Sequence, residues 1–166
     1  KTLKNIISIL NGIYNKYKLP IIFSCHPRTN KMIKSLKNSK INKMIKFSKP
    51  FGFFDYIKLQ KHSICVISDS GTISEESAIL NFPAITLRNS MERPEAMDTG
   101  SIILSGLDKD NVINSIDVII KQYDTDIINK DIPKEYLITD TSRRTLNLII
   151  GTAKISNIWD GIKNKN

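Results

Sequence analysis

Ile64-Cys65-Val66-Ile67-Ser68-Asp69-Ser70-Gly71-Thr72-Ile73-Ser74-Glu75-Glu76-Ser77-Ala78-Ile79-Leu80 is the stretch whose reading decides the fold. Four apolar residues, mostly β-branched, read as a buried strand from Ile64 to Ile67. Small residues with one glycine turn the chain, and Thr72 to Leu80 takes up helical spacing. A strand that feeds a helix through a tight turn begins a βαβ unit, and such units build parallel sheets.

The same alternation runs outward in both directions. Towards the N-terminus, Leu3 to Tyr17 repeats apolar positions at helical spacing until Pro20 ends it. Strands are expected at Ile21 to Cys25 and Met44 to Phe47, with helices at Thr29 to Leu36 and Phe53 to Lys61. Towards the C-terminus, Ala84 to Leu87 and Ile102 to Leu104 read as strands. Glu92 to Met97 reads as a short helix and Lys109 to Lys121 as a longer one. Tyr123 to Lys134 has the polarity of a loop. A last helix starts near Thr141 and runs towards Ile162, with a break expected near Gly151. The expected fold is α/β, a Rossmann-like doubly wound parallel sheet over residues 1–140, with 141–166 a helical tail of the same domain. No internal repeat or low-complexity segment interrupts it.

Bulk composition sets the class. At 166 residues the chain holds one domain with a core, and its 40% hydrophobic and 25% charged shares are those of a globular protein. No apolar run approaches the ~20 residues that span a bilayer. The N-terminal KTLKNIISILNGIY is broken by Asn and Gly and reads as an amphipathic helix, not a signal peptide, which points to the cytoplasm. Cys25 and Cys65 lie in apolar runs and read as reduced, buried thiols. With His26 and His62 they lack metal-ligand spacing, so no metal site is expected.

The net charge of +9 is unevenly spread: residues 1–61 carry fourteen Lys/Arg against one acid, Asp55 (+13), and the remainder carries −4. Such asymmetry suits a phosphate-facing surface or a basic nucleic-acid-binding module, but also plain solvated lysines. No aromatics interleave with the basic residues to make a stacking platform, so neither nucleic acid nor membrane is the expected partner.

Ligands of open parallel sheets bind beyond the carboxyl ends of the strands. Three polar segments follow predicted strands: His26-Pro27-Arg28, Ser68 to Thr72, and Arg88 to Glu95. At the second, the backbone N–H groups of Ser70, Gly71 and Thr72 would face outward at a helix start, where the dipole favours an anion. Gly71 would let a phosphate approach closely. Ser70 or Thr72 acting as a simple N-cap fits the same residues. A carboxylate from Glu75 or Glu76 could also accept both hydroxyls of a diol. In Glu92-Arg93-Pro94-Glu95, Pro94 suits a first helical turn and leaves Arg93 at the helix mouth, to meet an anion or pair with Glu92 or Glu95. Pro27 pushes His26 towards extended geometry at a strand end, in a site or in a structural role. Phe51, Phe53, Phe54 and Tyr56 cluster; most are expected in the core, with one edge free to form a slot for a flat base.

These segments resemble the non-hydrolysing UDP-N-acetylglucosamine 2-epimerases. HPRT, PFGFFDYIKLQ, SDSGTISEESAILNFPAITLRNSMERPEAM and the following DTGSIILSG occur in order at that family's spacing, from about Leu19 to Leu107. The wording is most similar to the subgroup that forms UDP-N-acetyl-L-fucosamine; Thr72 stands where the wider family has a second glycine. The resemblance implies the C-terminal, UDP-binding domain of a two-domain fold like that of GT-B glycosyltransferases. It also implies a UDP-sugar substrate, an N-terminal domain as partner, and a homodimer. Carried over by position, Ser70, Gly71 and Thr72 hold the diphosphate, Arg93 meets the phosphates, and Glu76 takes the ribose hydroxyls. Tyr56 and the backbone near Phe51 contact the uracil, and His26 faces the sugar as the one catalytic candidate. The implied reaction inverts C2 by elimination and re-addition of UDP, with no cofactor or metal. The main catalytic groups would lie upstream of Lys1, leaving this piece inactive alone. The alternative is the donor-nucleotide domain of a GT-B glycosyltransferase.

Overall fold

The computed structural model describes residues 2–35, 41–91, 94–125 and 132–161. The chain divides into two compact units, Lys1–Pro133 and Lys134–Asn166.

In the first unit, strands and helices alternate as expected. Their order is α1 (Thr2–Tyr17), β1 (Ile21–Ser24), α2 (Pro27–Ser35), β2 (Ile45–Ser48), α3 (Phe53–His62), β3 (Val66–Ser68), α4 (Ile73–Leu80), β4 (Ala84–Thr86), α5 (Glu95–Asp98), β5 (Ile102–Leu104) and α6 (Lys109–Asp124). All pairings are parallel, so the class is α/β, but the strands form two ladders instead of one. β1 pairs with β2, setting Ser24 opposite Ser48. β3, β4 and β5 form the other, with Ser68 opposite Thr86 and Thr86 opposite Leu104.

Burial explains the short strands. All three residues of β4 are buried, as expected for a central parallel strand covered on both faces. Ile85 packs in a cluster with Ile9 and Ile13 of α1 and Val112, Ile116 and Ile119 of α6. Ala84 and Thr86 point the opposite way by the strand's two-residue period, and α4 packs against β4 as well. The winding is therefore double around β4. β1 is different: Ile22 is 50% exposed, so its apolar run is covered on one face only.

α6 starts where the sequence puts it because Asp108 accepts the Asn111 N–H at 2.9 Å, an N-cap that satisfies an end amide. α1 is tied to α6 by Tyr17, whose hydroxyl reaches Asp117 Oδ1 at 2.8 Å and the Ile113 carbonyl at 3.2 Å. Lys16 also pairs with Asp117. The bonds from Lys16 and Tyr17 hold the Asp117 carboxyl below the usual range, while desolvation and that acceptor push the Tyr17 phenol up. Tyr17→Phe should cost about 1 kcal/mol, the net worth of one such hydrogen bond. For a domain this size that is a melting shift of about 2–4 °C, measurable by calorimetry. No shift would mean the Tyr17 hydroxyl adds nothing to the α1–α6 contact, which then rests on its apolar face and the Lys16–Asp117 pair.

Both cysteines are free. Cys25, just past β1, is buried, and burial raises its thiol. Cys65, just before β3, is half-buried by surface, and desolvation pushes its thiol to about 12. Neither is activated as a nucleophile.

The second unit holds a 3-10 turn (Lys134–Leu137), α7 (Thr141–Thr152) and α8 (Ser156–Trp159). The expected break near Gly151 is present: α7 stops after Thr152, one residue past Gly151, and the chain turns through Ala153 to Ile155 before α8. Ile149, Ile150 and Ile158 are 57%, 71% and 76% exposed. The side chain of Trp159 lies outside the described residues. None of the helices of the described residues is long and apolar enough to cross a membrane.

Candidate functional site

Register brings the ends of β3 and β4 together. The Leu87 N–H donates to the Ser68 carbonyl at 2.9 Å, so the segments that leave these strands start side by side. From β3 the chain turns through Ser68 to Thr72 into α4. From β4 it continues into Leu87 and Arg88. The two meet at Gly71: a Cβ built there would lie 3.5 Å from Arg88 Nη1. The bare backbone of Gly71 thus faces a half-buried guanidinium at the start of an eight-residue helix. Dipole and side chain both place positive charge at this point.

The turn is tighter than the sequence suggests. Ser70 and Thr72 were expected to present unpaired amides, and that is corrected. The Ser70 N–H donates to Ser68 Oγ at 3.0 Å, and the Thr72 N–H to Ser70 Oγ at 3.3 Å. Serine hydroxyls make such local bonds readily, and this turn has one two residues before each amide. Among the described residues, the Gly71 N–H keeps no such partner. Thr72 occupies the N-cap of α4 without a side-chain cap bond; its Oγ1 lies 2.9 Å from Ser70 Oγ. The first-turn amides of α4 have no partners within the helix, as at every helix start.

One turn further on stands Glu76, half-buried, its N–H bonded to the Thr72 carbonyl at 3.0 Å. Its Oε2 accepts from Nε2 of Gln60 in α3 at 2.5 Å. Gln60 is 2% exposed. Tyr56 precedes it by one helical turn, its N–H bonded to the Gly52 carbonyl at 2.9 Å. Burial chiefly raises the Tyr56 phenol, followed by the charge of Glu76; a side-chain hydrogen bond with Gln60 works the other way, and the charge of Asp69 adds a smaller rise. Tyr56 and Glu76, chosen separately in the sequence, therefore flank one buried amide.

The aromatic group departs from expectation. Phe53 and Phe54 are 73% and 85% exposed, packed edge to face with centroids 5.5 Å apart, and Phe51 and Tyr56 are half-buried. They are not mainly core. Residues 56, 57, 59 and 60 form the inward stripe of α3, and positions 53 and 54 fall outside it.

His26 stands exposed at the carboxyl end of β1, its carbonyl accepting the Asn30 N–H at 3.0 Å as α2 begins. It belongs to the β1–β2 ladder, not to the ladder of β3 and β4. Arg93, with Glu92, lies outside the described residues. Pro94 is the N-cap of α5 instead of its first residue, and accepts from the Met97 N–H at 2.8 Å.

Two residues of the cluster were not singled out in the sequence. Arg88 is the first polar residue after β4, and the adjacency of β4 to β3 would have pointed to it. Gln60 offers one signal only, its place four residues after Tyr56 on the same helix face.

The cluster now has a context among known proteins. The model of the UDP-N-acetylglucosamine 2-epimerase family matches residues 1–150. A UDP-N-acetylglucosamine 2-epimerase of Methanococcus maripaludis is 39% identical over 125 residues, covering 72% of this chain and 33% of the relative. The solved UDP-N-acetylglucosamine 2-epimerase of Rickettsia bellii superposes with a TM-score of 0.80 at 35% identity, over 94% of this chain and 43% of that one. The Methanocaldococcus jannaschii enzyme, crystallised with UDP-GlcNAc and UDP, gives 0.75 at 32% identity, over 90% and 40%. These neighbours share a GT-B-like fold, and the α/β unit here is of that type. The chain spans about a third of the length of the curated relatives it matches. It belongs to the UDP-N-acetylglucosamine 2-epimerase family.

Proposed function

We propose that this chain is the UDP-binding half of a UDP-N-acetylhexosamine 2-epimerase. The observation that carries the reading is the meeting of Gly71, Arg88 and the start of α4 at one strand end, one helical turn from Glu76. An anion suits the first group and a ribose diol the second. In this reading Ser70, Gly71 and Thr72 hold the diphosphate, and Arg93 meets the phosphates. Glu76 takes the ribose hydroxyls, and Tyr56 with the backbone near Phe51 takes the uracil. His26 faces the sugar. Arg88, which opens the third polar segment, adds a cation beside Gly71.

The proposed reaction starts with loss of the C2 proton and cleavage of the C1–O bond to UDP, giving a glycal. A proton returns to C2 on the opposite face, and UDP adds back to C1. The nucleotide must stay put while it is not bonded to sugar, and a fixed site for its charge and ribose does that. In this reading the groups that move the C2 proton lie in the part of the relatives' length that this chain does not cover, and the 166-residue chain alone is expected to bind without epimerising. Residues 1–140 are the proposed nucleotide domain, with 141–166 its helical tail. The proposed substrate is that of the fucosamine-forming subgroup, on the wording of PFGFFDYIKLQ and SDSGT. The proposed location is the cytoplasm, in keeping with two free thiols.

Calorimetric titration with UDP, UMP and uridine tests the binding reading. Affinity should fall in that order, and equal binding of uridine and UDP would refute it. In a complete protein carrying this chain, C2 epimers of a UDP-2-acetamido sugar should interconvert with no acceptor. A requirement for an acceptor would instead mark a glycosyltransferase.

A further inference from the structure

Gln60 is among the most deeply buried polar side chains described, and its position is chemically costly. Its Nε2 donates to Glu76, while its Oε1 is buried with no hydrogen-bond partner among the described residues. The amide cannot turn round to relieve this, because its carbonyl would then face the Glu76 carboxylate. An apolar side chain of the same length would fill the space without leaving an acceptor unpaired. Packing therefore does not account for the amide. The contact with Glu76 does.

That contact has a consequence for binding. A free carboxylate rotates, and both its oxygens are equivalent. With Oε2 engaged by Gln60, the carboxylate of Glu76 is held in one plane and Oε1 is left for a ligand, along with the remaining lone pairs. Two vicinal hydroxyls need such a fixed acceptor, because both bonds must form in one geometry.

We propose that Gln60 is a positioning residue that holds Glu76 to read the ribose diol, making the site selective for a ribonucleotide over its deoxy forms. It acts through Glu76 and does not itself touch the reacting atoms. The proposal rests on the UDP-binding reading and adds to it a source of sugar selectivity.

The test compares UDP with 2′,3′-dideoxy-UDP on the full 166-residue chain, as wild type, Gln60→Met and Gln60→Leu. Melting temperature is followed alongside to confirm folding. Wild type should prefer UDP by about tenfold or more. In both variants that preference should shrink several-fold because UDP weakens, while dideoxy-UDP binds as before. A Glu76→Gln background should abolish the effect of Gln60→Met on the preference. If wild type discriminates and the folded variants discriminate equally well, Gln60 has no positioning role, and the UDP reading stands. A parallel weakening of both ligands also overturns it, since that marks a merely structural residue. If wild type binds no UDP, the underlying reading falls, and this inference with it.

Discussion

Glu76→Gln weakens UDP binding by roughly 10- to 100-fold, the worth of one or two hydrogen bonds to a charged acceptor. The substitution keeps the shape of the side chain and removes its charge. A glutamine in that place offers one carbonyl oxygen and an NH2 group that cannot accept. It also sets an amide against the amide of Gln60, whose Nε2 now donates to the Glu76 Oε2. The two ribose hydroxyls then compete for one acceptor. Folding should change little, because Glu76 is half-buried and its loss exposes no new apolar surface. Titration of both proteins with UDP, with a melting curve for each, checks the claim. Equal affinities would remove Glu76 from the site.

Gly71→Ala should separate binding from stability still more sharply. Gly71 does not use the left-handed backbone that Gly100, Gly106 and Gly161 adopt. A methyl group there meets only Arg88 Nη1, at the ordinary contact distance of 3.5 Å. The unliganded chain should therefore tolerate alanine, and could gain up to about 1 kcal/mol through a less flexible unfolded state. A phosphate resting on the Gly71 backbone and the Arg88 guanidinium would have to occupy the volume of that methyl group. UDP affinity should drop by at least about tenfold, the cost of losing one charge-assisted contact. Uridine, which has no phosphate, should bind as before. A variant that loses stability and binding together would mean that Gly71 serves the turn and not a ligand.

How far the sequence carried this account depends on the kind of force involved. Elements set by local periodicity were legible almost to the residue: Ile102–Leu104 as a strand, Phe53–His62 and Ile73–Leu80 as helices. The turn residues Ser70, Gly71 and Thr72 were legible for the same reason, since a strand end, a glycine and a helix start are consecutive. Long-range placement was not. Nothing local reveals that Arg88 reaches Gly71, because that depends on the register of β4 beside β3. Gln60 hid for a similar reason; its partner is sixteen residues away on another helix. The exposure of Phe53 and Phe54 was misjudged because hydrophobicity overrode the helical phase of α3. The pairing of the Ser70 and Thr72 amides was not legible, because it depends on how the turn aims the serine hydroxyls two residues back.

Amide chemical shifts during a UDP titration of the intact chain address the central claim most directly. Saturating UDP should move the Gly71 amide and the first-turn amides of α4, Ile73 to Glu75, while uridine leaves Gly71 in place. If UDP saturates the protein with Gly71 unmoved and the shifts gathered elsewhere, the diphosphate does not rest on this turn.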